Sequence, residues 1–260
     1  MSQPKILLLD IETAPAIAYV WTIWETNIGI NQIIKDGYVI CWSAKWLGSK
    51  EVMSDSVHKY CKPSEYDSIG EKKIALSIWK LLDQADIVVT HNGDSFDLKW
   101  LNGIFIKHGI PPLPAVRSID TLKEARKVGR FISNKLDFLV RKFKLGQKIS
   151  TGGFELWDSC LVGQKLAWDR MLTYCKHDTR LLEKLYLTLK PYIKNHPNLA
   201  LITHPNTKGV HTCPACGSDK VQKKGFFYTN TGKYQRFRCD ACGKNARSTK
   251  AESRTGLVSA

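Results

Sequence analysis

Apolar positions in the first 190 residues alternate between strand-like runs and helix-like stripes. The run Lys5-Ile-Leu-Leu-Leu-Asp-Ile-Glu-Thr13 predicts a buried strand that ends in polar residues. Residues 14–37 carry Pro15, Tyr19, Trp21, Trp24 and Gly29 without clean periodicity and read as an irregular segment. Gly37 to Trp46 and Lys50 to Val57 then read as two strands turning at Gly48-Ser49, which with the first would make an antiparallel meander. From Glu71 to Leu82 the apolar positions 74, 75, 78, 81 and 82 predict an amphipathic helix covering a sheet face. Ile87–Thr90 predicts a buried strand. The next helix, with Leu98, Leu101, Ile104 and Phe105 on one side, ends at Gly109 and Pro111-Pro112. Further helices are expected over 134–144, capped by Ser133, and over Lys165–Tyr192, stopped near Pro191.

The opening strand carries more than a packing signal. Residues i and i+2 of a strand project from one face, so Asp10 and Glu12 point the same way at its C-terminal end. They are half of a divalent-metal site or simply the polar end of a strand. Asp97 falls at a helix start, where the helix dipole favours a carboxylate with or without chemistry. Tyr174 and Asp178, at i and i+4, share one face of the long helix. Four carboxylates from three separate elements are hard oxygen ligands suited to Mg²⁺ or Mn²⁺, hence to phosphoryl transfer with two ions. Tyr174 is then the candidate to orient the attacking water.

These residues carry a resemblance. Asp10-Ile-Glu-Thr13, Asn92-Gly-Asp-Ser-Phe-Asp97 and Tyr174-Cys-Lys-His-Asp178 are similar, in order and spacing, to the three motifs of the DEDD superfamily of 3′–5′ exonucleases. The tyrosine type is indicated, because the histidine type needs His five residues before the last Asp, where Thr173 stands; His177 does not fit. The proofreading domain of B-family DNA polymerases is resembled over residues 5–190. The resemblance implies an α/β, ribonuclease H-like mixed sheet flanked by helices, over a domain of residues 1–194. By the same resemblance Asp10, Glu12 and Asp178 would hold the ions directly and Asp97 the second ion, partly through water. Asn92 would hold the motif's geometry, and Asn92 and Phe96 are carried over as nucleic-acid contacts. Asp94 is a reserve for Asp97. No polymerase domain follows in the sequence, so a proofreading role is not carried over.

Charge sharpens the expected partner. The formal net charge of +15 and pI near 9.4 favour a polyanion, most simply nucleic acid. Residues 203–260 hold 11 Lys+Arg against 3 acids, which marks a basic C-terminal module. A second basic run, Arg117–Lys148, has ten Lys+Arg and three acids and reads either as a phosphate-contacting patch or as a solvated face. Four of the eight cysteines are scattered and four tightly paired, the usage of a reducing compartment. No signal peptide or membrane span is read, so the expected location is the cytoplasm, a host's if the source is viral.

Cys213-Pro-Ala-Cys216 and Cys239-Asp-Ala-Cys242 are two knuckles separated by 22 residues, with Gly217 and Gly243 behind them. Four thiolates satisfy one structural, tetrahedral Zn²⁺; redox pairs are the alternative. The intervening residues predict a β-hairpin from Lys220 to Arg238 turning at Asn230-Thr-Gly232. The module, residues 211–247 beyond a linker over 195–210, resembles the zinc ribbons of transposase and transcription-related proteins. Lys223, Lys224, Tyr234, Arg236 and Arg238, with Phe226, Phe227 and Tyr228, mix basic and aromatic side chains as single-strand binders do. A protein partner is the alternative for the ribbon, and residues 248–260 are expected to be disordered. The sequence thus reads as a two-domain 3′–5′ exonuclease for single-stranded DNA or 3′ ends. An exoribonuclease and a catalytically silent nucleic-acid-binding adaptor remain as alternatives.

Overall fold

A computed structural model describes residues 3–24, 27–113, 115–203 and 211–258. The chain forms two compact units, one of Lys5–Tyr186 and one of Leu187–Ala260 with Met1–Pro4.

In the first unit β1 (Ile6–Ala14) is followed by a short pair, β2 (Ile17–Ala18) and β3 (Ile33–Lys35), then by β4 (Tyr38–Trp46) and β5 (Met53–Ser56). Helix α1 (Glu71–Leu82), β6 (Ile87–Thr90), α2 (Asp97–His108) and β7 (Arg117–Asp120) come next, and then α3 (Thr121–Val128), α4 (Leu136–Lys142), α5 (Glu155–Leu161) and α6 (Lys165–Leu189). The main sheet is ordered β5-β4-β1-β6-β7. β4 and β5 are antiparallel to their neighbours, and β6 and β7 run parallel to β1 and to each other. The expected meander and mixed α/β sheet are present.

Ile6–Leu9 are buried throughout, so β1 is covered on both faces, and this is why its apolar run does not alternate. Ile74, Ala75, Ile78 and Leu82 of α1 are fully buried, as are Met171, Cys175 and Leu185 of α6. At about 25 cal/mol per Å² of apolar surface removed from water, these stripes supply the drive that holds helices on the sheet. The left-handed cap at Gly109, φ 64°, ends α2 where the sequence places its stop.

Five elements of the first unit escape the hydrophobic pattern: the short pair β2 and β3, within the stretch read as irregular, and β7, α3 and α5. Strand β7 has four residues and α5 seven, too short to show a period. Helix α4 starts at Leu136, and Lys135, not Ser133, precedes it; Ser133 Oγ instead accepts the Lys135 amide at 3.3 Å. In residues 14–37 Tyr19, Trp21 and Trp24 are exposed and do not enter the core.

The second unit contains α7 (Ala200–Thr203), β8 (Val221–Tyr228), β9 (Gly232–Cys239), β10 (Asn245–Arg247) and β11 (Ser253–Arg254). β8 and β9 form the expected hairpin, and β10 and β11 also pair with β9. The tail read as disordered is corrected here: Ser253 pairs with Lys233 and Arg254 with Gly232, because backbone pairing along an open strand edge does not depend on apolar side chains. The expected linker falls partly on residues 204–210, outside the described residues. Among the described residues no helix is long and apolar enough to cross a membrane.

Candidate functional site

The end of β1 gathers the acids. Asp10 lies opposite Ser43 and Glu12 opposite Cys41 on β4, and the register breaks between Glu12 and Thr13. Asp97, the first residue of α2, is 4% exposed and accepts the Ile11 amide on Oδ1 at 3.1 Å, which ties the helix start to β1 between the two strand acids. Asp178, 2% exposed, arrives from α6. Beneath them Cys175 Sγ is 3.5 Å from Asp10 Oδ2 and 3.2 Å from Ser43 Oγ, and the Ser43 hydroxyl donates to the Cys175 carbonyl at 2.8 Å. These bonds pin α6 to the sheet at the level of the acids.

The acids repel one another in a dry setting. Burial, with the charges of Glu12, Asp97 and Asp178, raises the Asp10 carboxyl well above its usual range. Burial raises Glu12 to about 8, although Lys148 opposes the shift. Asp97 is pushed up to about 7 by burial despite the Ile11 amide, with Asp120 adding to the rise. Asp178 also rises through burial, against the pull of Lys148. Asp178 Oδ1 is buried and has no hydrogen-bond partner. Clustered carboxylates, one of them with an orphaned oxygen, suit hard divalent cations, which would relieve both the repulsion and the missing bond.

Tyr174 reaches the same place. Its hydroxyl accepts a bond from Lys148 Nζ at 2.8 Å, and the same ammonium pairs with Asp178 Oδ2 at 2.5 Å. Burial and the Asp178 charge raise the Tyr174 phenol above its usual pKa, so the ring stays neutral and can donate or accept but not serve as a base. Lys148 is a site residue that the sequence hides at the end of a basic run; its backbone amide donates to Asp137 Oδ1 at 3.1 Å, which fixes the loop that delivers it. Asp120 is another: its Oδ1 accepts the Asn92 amide at 2.9 Å and caps α3, and its Oδ2 is buried without a partner. The Asp-Thr pair at the start of Thr121-Leu-Lys-Glu was the available signal.

The reserve acid Asp94 is engaged elsewhere, with Ser118 Oγ at 2.6 Å and Lys123 Nζ at 2.8 Å. His177 Nε2 bonds the Gln147 carbonyl at 2.8 Å, and His91, its pKa lowered to about 4 by burial, is neutral. Asn92 sits at φ 70°, a left-handed conformation that asparagine tolerates. Its carbonyl accepts the amides of Ser95 and Phe96, so its backbone shapes the turn into α2. Phe96 is exposed and packs edge-on to Trp100, ring centres 6.3 Å apart.

In the second unit the four expected cysteines converge, with all four sulfurs within 4.8 Å of one another. Cys213 Sγ and Cys242 Sγ are 3.6 Å apart, and Cys216 Sγ and Cys239 Sγ 3.7 Å. A tetrahedral ZnS₄ centre with bonds near 2.3 Å requires about 3.8 Å between sulfurs, so the cluster is compatible with a zinc ribbon. Gly217 and Gly243, φ 73° and 76°, make the left-handed turns behind each knuckle. Lys223 and Lys224 are exposed on β8. Tyr234, Arg236 and Arg238, two residues apart on β9, share one face. Arg247 lies 4.3 Å over the Tyr234 ring and 5.5 Å over that of Phe227, while Arg236 Nε bonds the Lys224 carbonyl at 2.8 Å.

A family model described as RNase_H superfamily (RNase_H_2) matches residues 45–190. A DNA polymerase III of PolC type from Ureaplasma parvum serovar 3 is 30% identical over 126 residues, 44% of this chain and 9% of that protein. The structure of the family B DNA polymerase from the archaeon Pyrobaculum calidifontis aligns with 73% of this chain and 25% of its own, at TM-score 0.52 and 13% identity, a likeness of fold. The chain thus spans a small part of the length of each.

Proposed function

This chain belongs to the RNase_H superfamily, and we propose that it is a metal-dependent nuclease of the tyrosine-type DEDD class, removing nucleotides from the 3′ end of single-stranded nucleic acid, DNA in preference to RNA. The observation that supports this most is the buried, partnerless Asp178 Oδ1 in a group of four mutually repelling carboxylates beside a neutral tyrosine. The 30% identity to a DNA polymerase III of PolC type, together with motifs that resemble the proofreading domain of B-family DNA polymerases, supports the choice of substrate.

Asp10, Glu12, Asp97 and Asp178 would hold two Mg²⁺ or Mn²⁺ ions. Such ions supply an activated water and stabilise the leaving oxygen. The Tyr174 hydroxyl, fixed by Lys148 at 2.8 Å, positions the attacking water, and it does so without removing its proton. Lys148 also places positive charge where a scissile phosphate gathers negative charge. In the second unit Cys213, Cys216, Cys239 and Cys242 would hold one structural Zn²⁺. Lys223, Lys224, Tyr234, Arg236 and Arg238 would then contact the strand, with Asn92 and Phe96 doing so in the first unit.

The test uses matched DNA and RNA oligonucleotides labelled at the 3′ or the 5′ end, with Mg²⁺ or Mn²⁺ and with Asp10→Ala as control. Stepwise shortening from the 3′ end of DNA, absent in the variant, is expected. Shortening of RNA alone would replace the substrate, and no metal-dependent shortening of either would leave a binding adaptor.

A further inference from the structure

The sheet of the second unit has two unlike faces. On one, Phe237 and Cys239 of β9 are buried, with Ala246 opposite Phe237 and Val221 opposite Cys239. On the other, the register lines up side chains that have no core to enter. Tyr234, Arg236 and Arg238 of β9 share that face; Arg247 of β10 lies opposite Arg236, and Arg254 of β11 lies opposite Gly232, which has the parity of Tyr234. From β8, Phe227 stands opposite Tyr234. The four arginines are exposed, and none of them makes an ion pair among the described residues. Asp240, at the edge of this face, is engaged by Gln222 Nε2 at 2.9 Å.

The rings on this face are already covered. The Tyr234 ring lies close over Gly232, where a Cβ would stand 3.1 Å from its Cε2, and the Arg247 guanidinium is 4.3 Å from the ring centre. The same guanidinium is 5.5 Å from the centre of the Phe227 ring. A base that stacks needs a bare ring, and here a cation takes that place. The guanidiniums, by contrast, are held and open. Arg236 Nε donates to the Lys224 carbonyl at 2.8 Å and Arg247 Nη1 to the Ser248 carbonyl at 3.2 Å. Each bond fixes its side chain and uses one of the five guanidinium N–H groups. An arginine fixed in this way loses little conformational freedom on meeting an anion, and its remaining N–H fork fits two phosphate oxygens.

We propose that this arginine face binds the sugar-phosphate backbone of double-stranded DNA, so that the second unit holds the paired stretch of a substrate whose 3′ end the first unit trims. Giving the end to the first unit rests on the nuclease reading; the choice of a duplex rests on the face alone. With its rings covered, the face draws its binding energy from phosphates. A duplex presents one charge per about 1.7 Å of its length, against one per about 3.4 Å along either of its strands, and releases more counterion for each phosphate that is neutralised. An unpaired strand adds bare bases, which this face has no free ring to receive. The mixture of basic and aromatic residues that reads in the sequence as a single-strand grip is, in three dimensions, a pair of rings that support a cation.

The experiment uses nucleic acids that have no 3′ end. A covalently closed DNA dumbbell with a stem of roughly twenty base pairs, and a closed single-stranded circle of equal nucleotide number, are labelled with fluorescein and titrated with the full chain, with Ca²⁺ in place of Mg²⁺. The wild type should bind the dumbbell about tenfold more tightly than the circle at about 100 mM salt. Arg238→Ala, at an exposed side chain with no hydrogen bond among the described residues, should lower the slope of log K against log salt on the dumbbell by about 0.9. Arg236→Ala combined with Arg247→Ala should lower it by about 1.8 and remove most of the preference for the dumbbell. Equal affinity for the two closed forms, tighter binding of the circle, or a dumbbell slope that neither variant moves would each overturn the duplex face. Hydrolysis of thymidine 5′-p-nitrophenyl phosphate by the wild type with Mg²⁺ reads the acid centre separately: its absence would tell against the nuclease, while the dumbbell series still decides the face.

Discussion

A carboxyl that is harder to ionise in the folded chain than in the unfolded one makes stability fall as pH rises. Glu12 moves from an ordinary 4.5 to about 8, and Asp97 from 3.8 to about 7. Both bind a proton more tightly when folded, so their contribution is full below about pH 4 and is lost as pH climbs through 7 and 8. The metal-free protein should accordingly lose thermal stability between about pH 5 and about pH 8.5, and Mg²⁺ or Mn²⁺ should restore it most at the upper end, where fewer protons must be displaced. A flat melting profile with EDTA would contradict the buried, uncompensated cluster. Lys148 is tested by kinetics: Lys148→Met should lower kcat by roughly 10²-fold with KM little changed, and Lys148→Arg should recover part of the loss. At this scale the acids were legible because strand parity and helix spacing fix which side chains share a face. Lys148 was not, since a loop has no period and a lysine in a basic run looks like a solvated one.

Among the elements, the turn from β6 into α2 is where sequence and geometry are most tightly joined. A Cβ on Gly93 would fall 2.2 Å from Thr90 Oγ1 and 2.3 Å from its Cβ, so the chain can fold back onto the end of β6 only without a side chain there. The fold-back sets Asp97 against Ile11. Gly93→Ala is therefore expected to cost about 1–3 kcal/mol in denaturant unfolding and to lower activity further by displacing Asp97. A variant with wild-type stability would show that the loop shifts freely. The apolar stripes of α1, α2 and α6 were plain in the sequence, as each buries one face against the sheet. β7 and α3 were not, because the join between them depends on Asp120 capping the helix and holding the Asn92 amide, a contact between residues 28 apart that no local pattern encodes.

On the scale of the whole molecule, two units with different sources of stability share one excess of positive charge. The first has a large apolar core, whereas in the second, among the described residues, the buried cluster at the cysteines comprises Cys213, Ala215 and Cys239, with a few further buried side chains such as Ile193, Leu199 and Phe237, a small core that a further tie would stabilise. If Zn²⁺ is that tie, Cys213→Ser should release one equivalent of zinc, detectable with a chromogenic chelator, and unfold the hairpin while leaving the melting of the first unit in place. The consequence for binding follows from the charge. With 11 Lys+Arg against 3 acids over residues 203–260, the second unit should contribute several phosphate contacts, and each contact adds about 0.7 to the slope of log K against log salt for a single strand. Cys213→Ser should flatten that slope and weaken binding most at low salt. Hydrolysis of a minimal substrate that reaches only the acids should be unaffected, because those residues belong to the other unit. An unchanged salt slope in a variant that has lost its zinc would move the ribbon from nucleic acid to a protein partner.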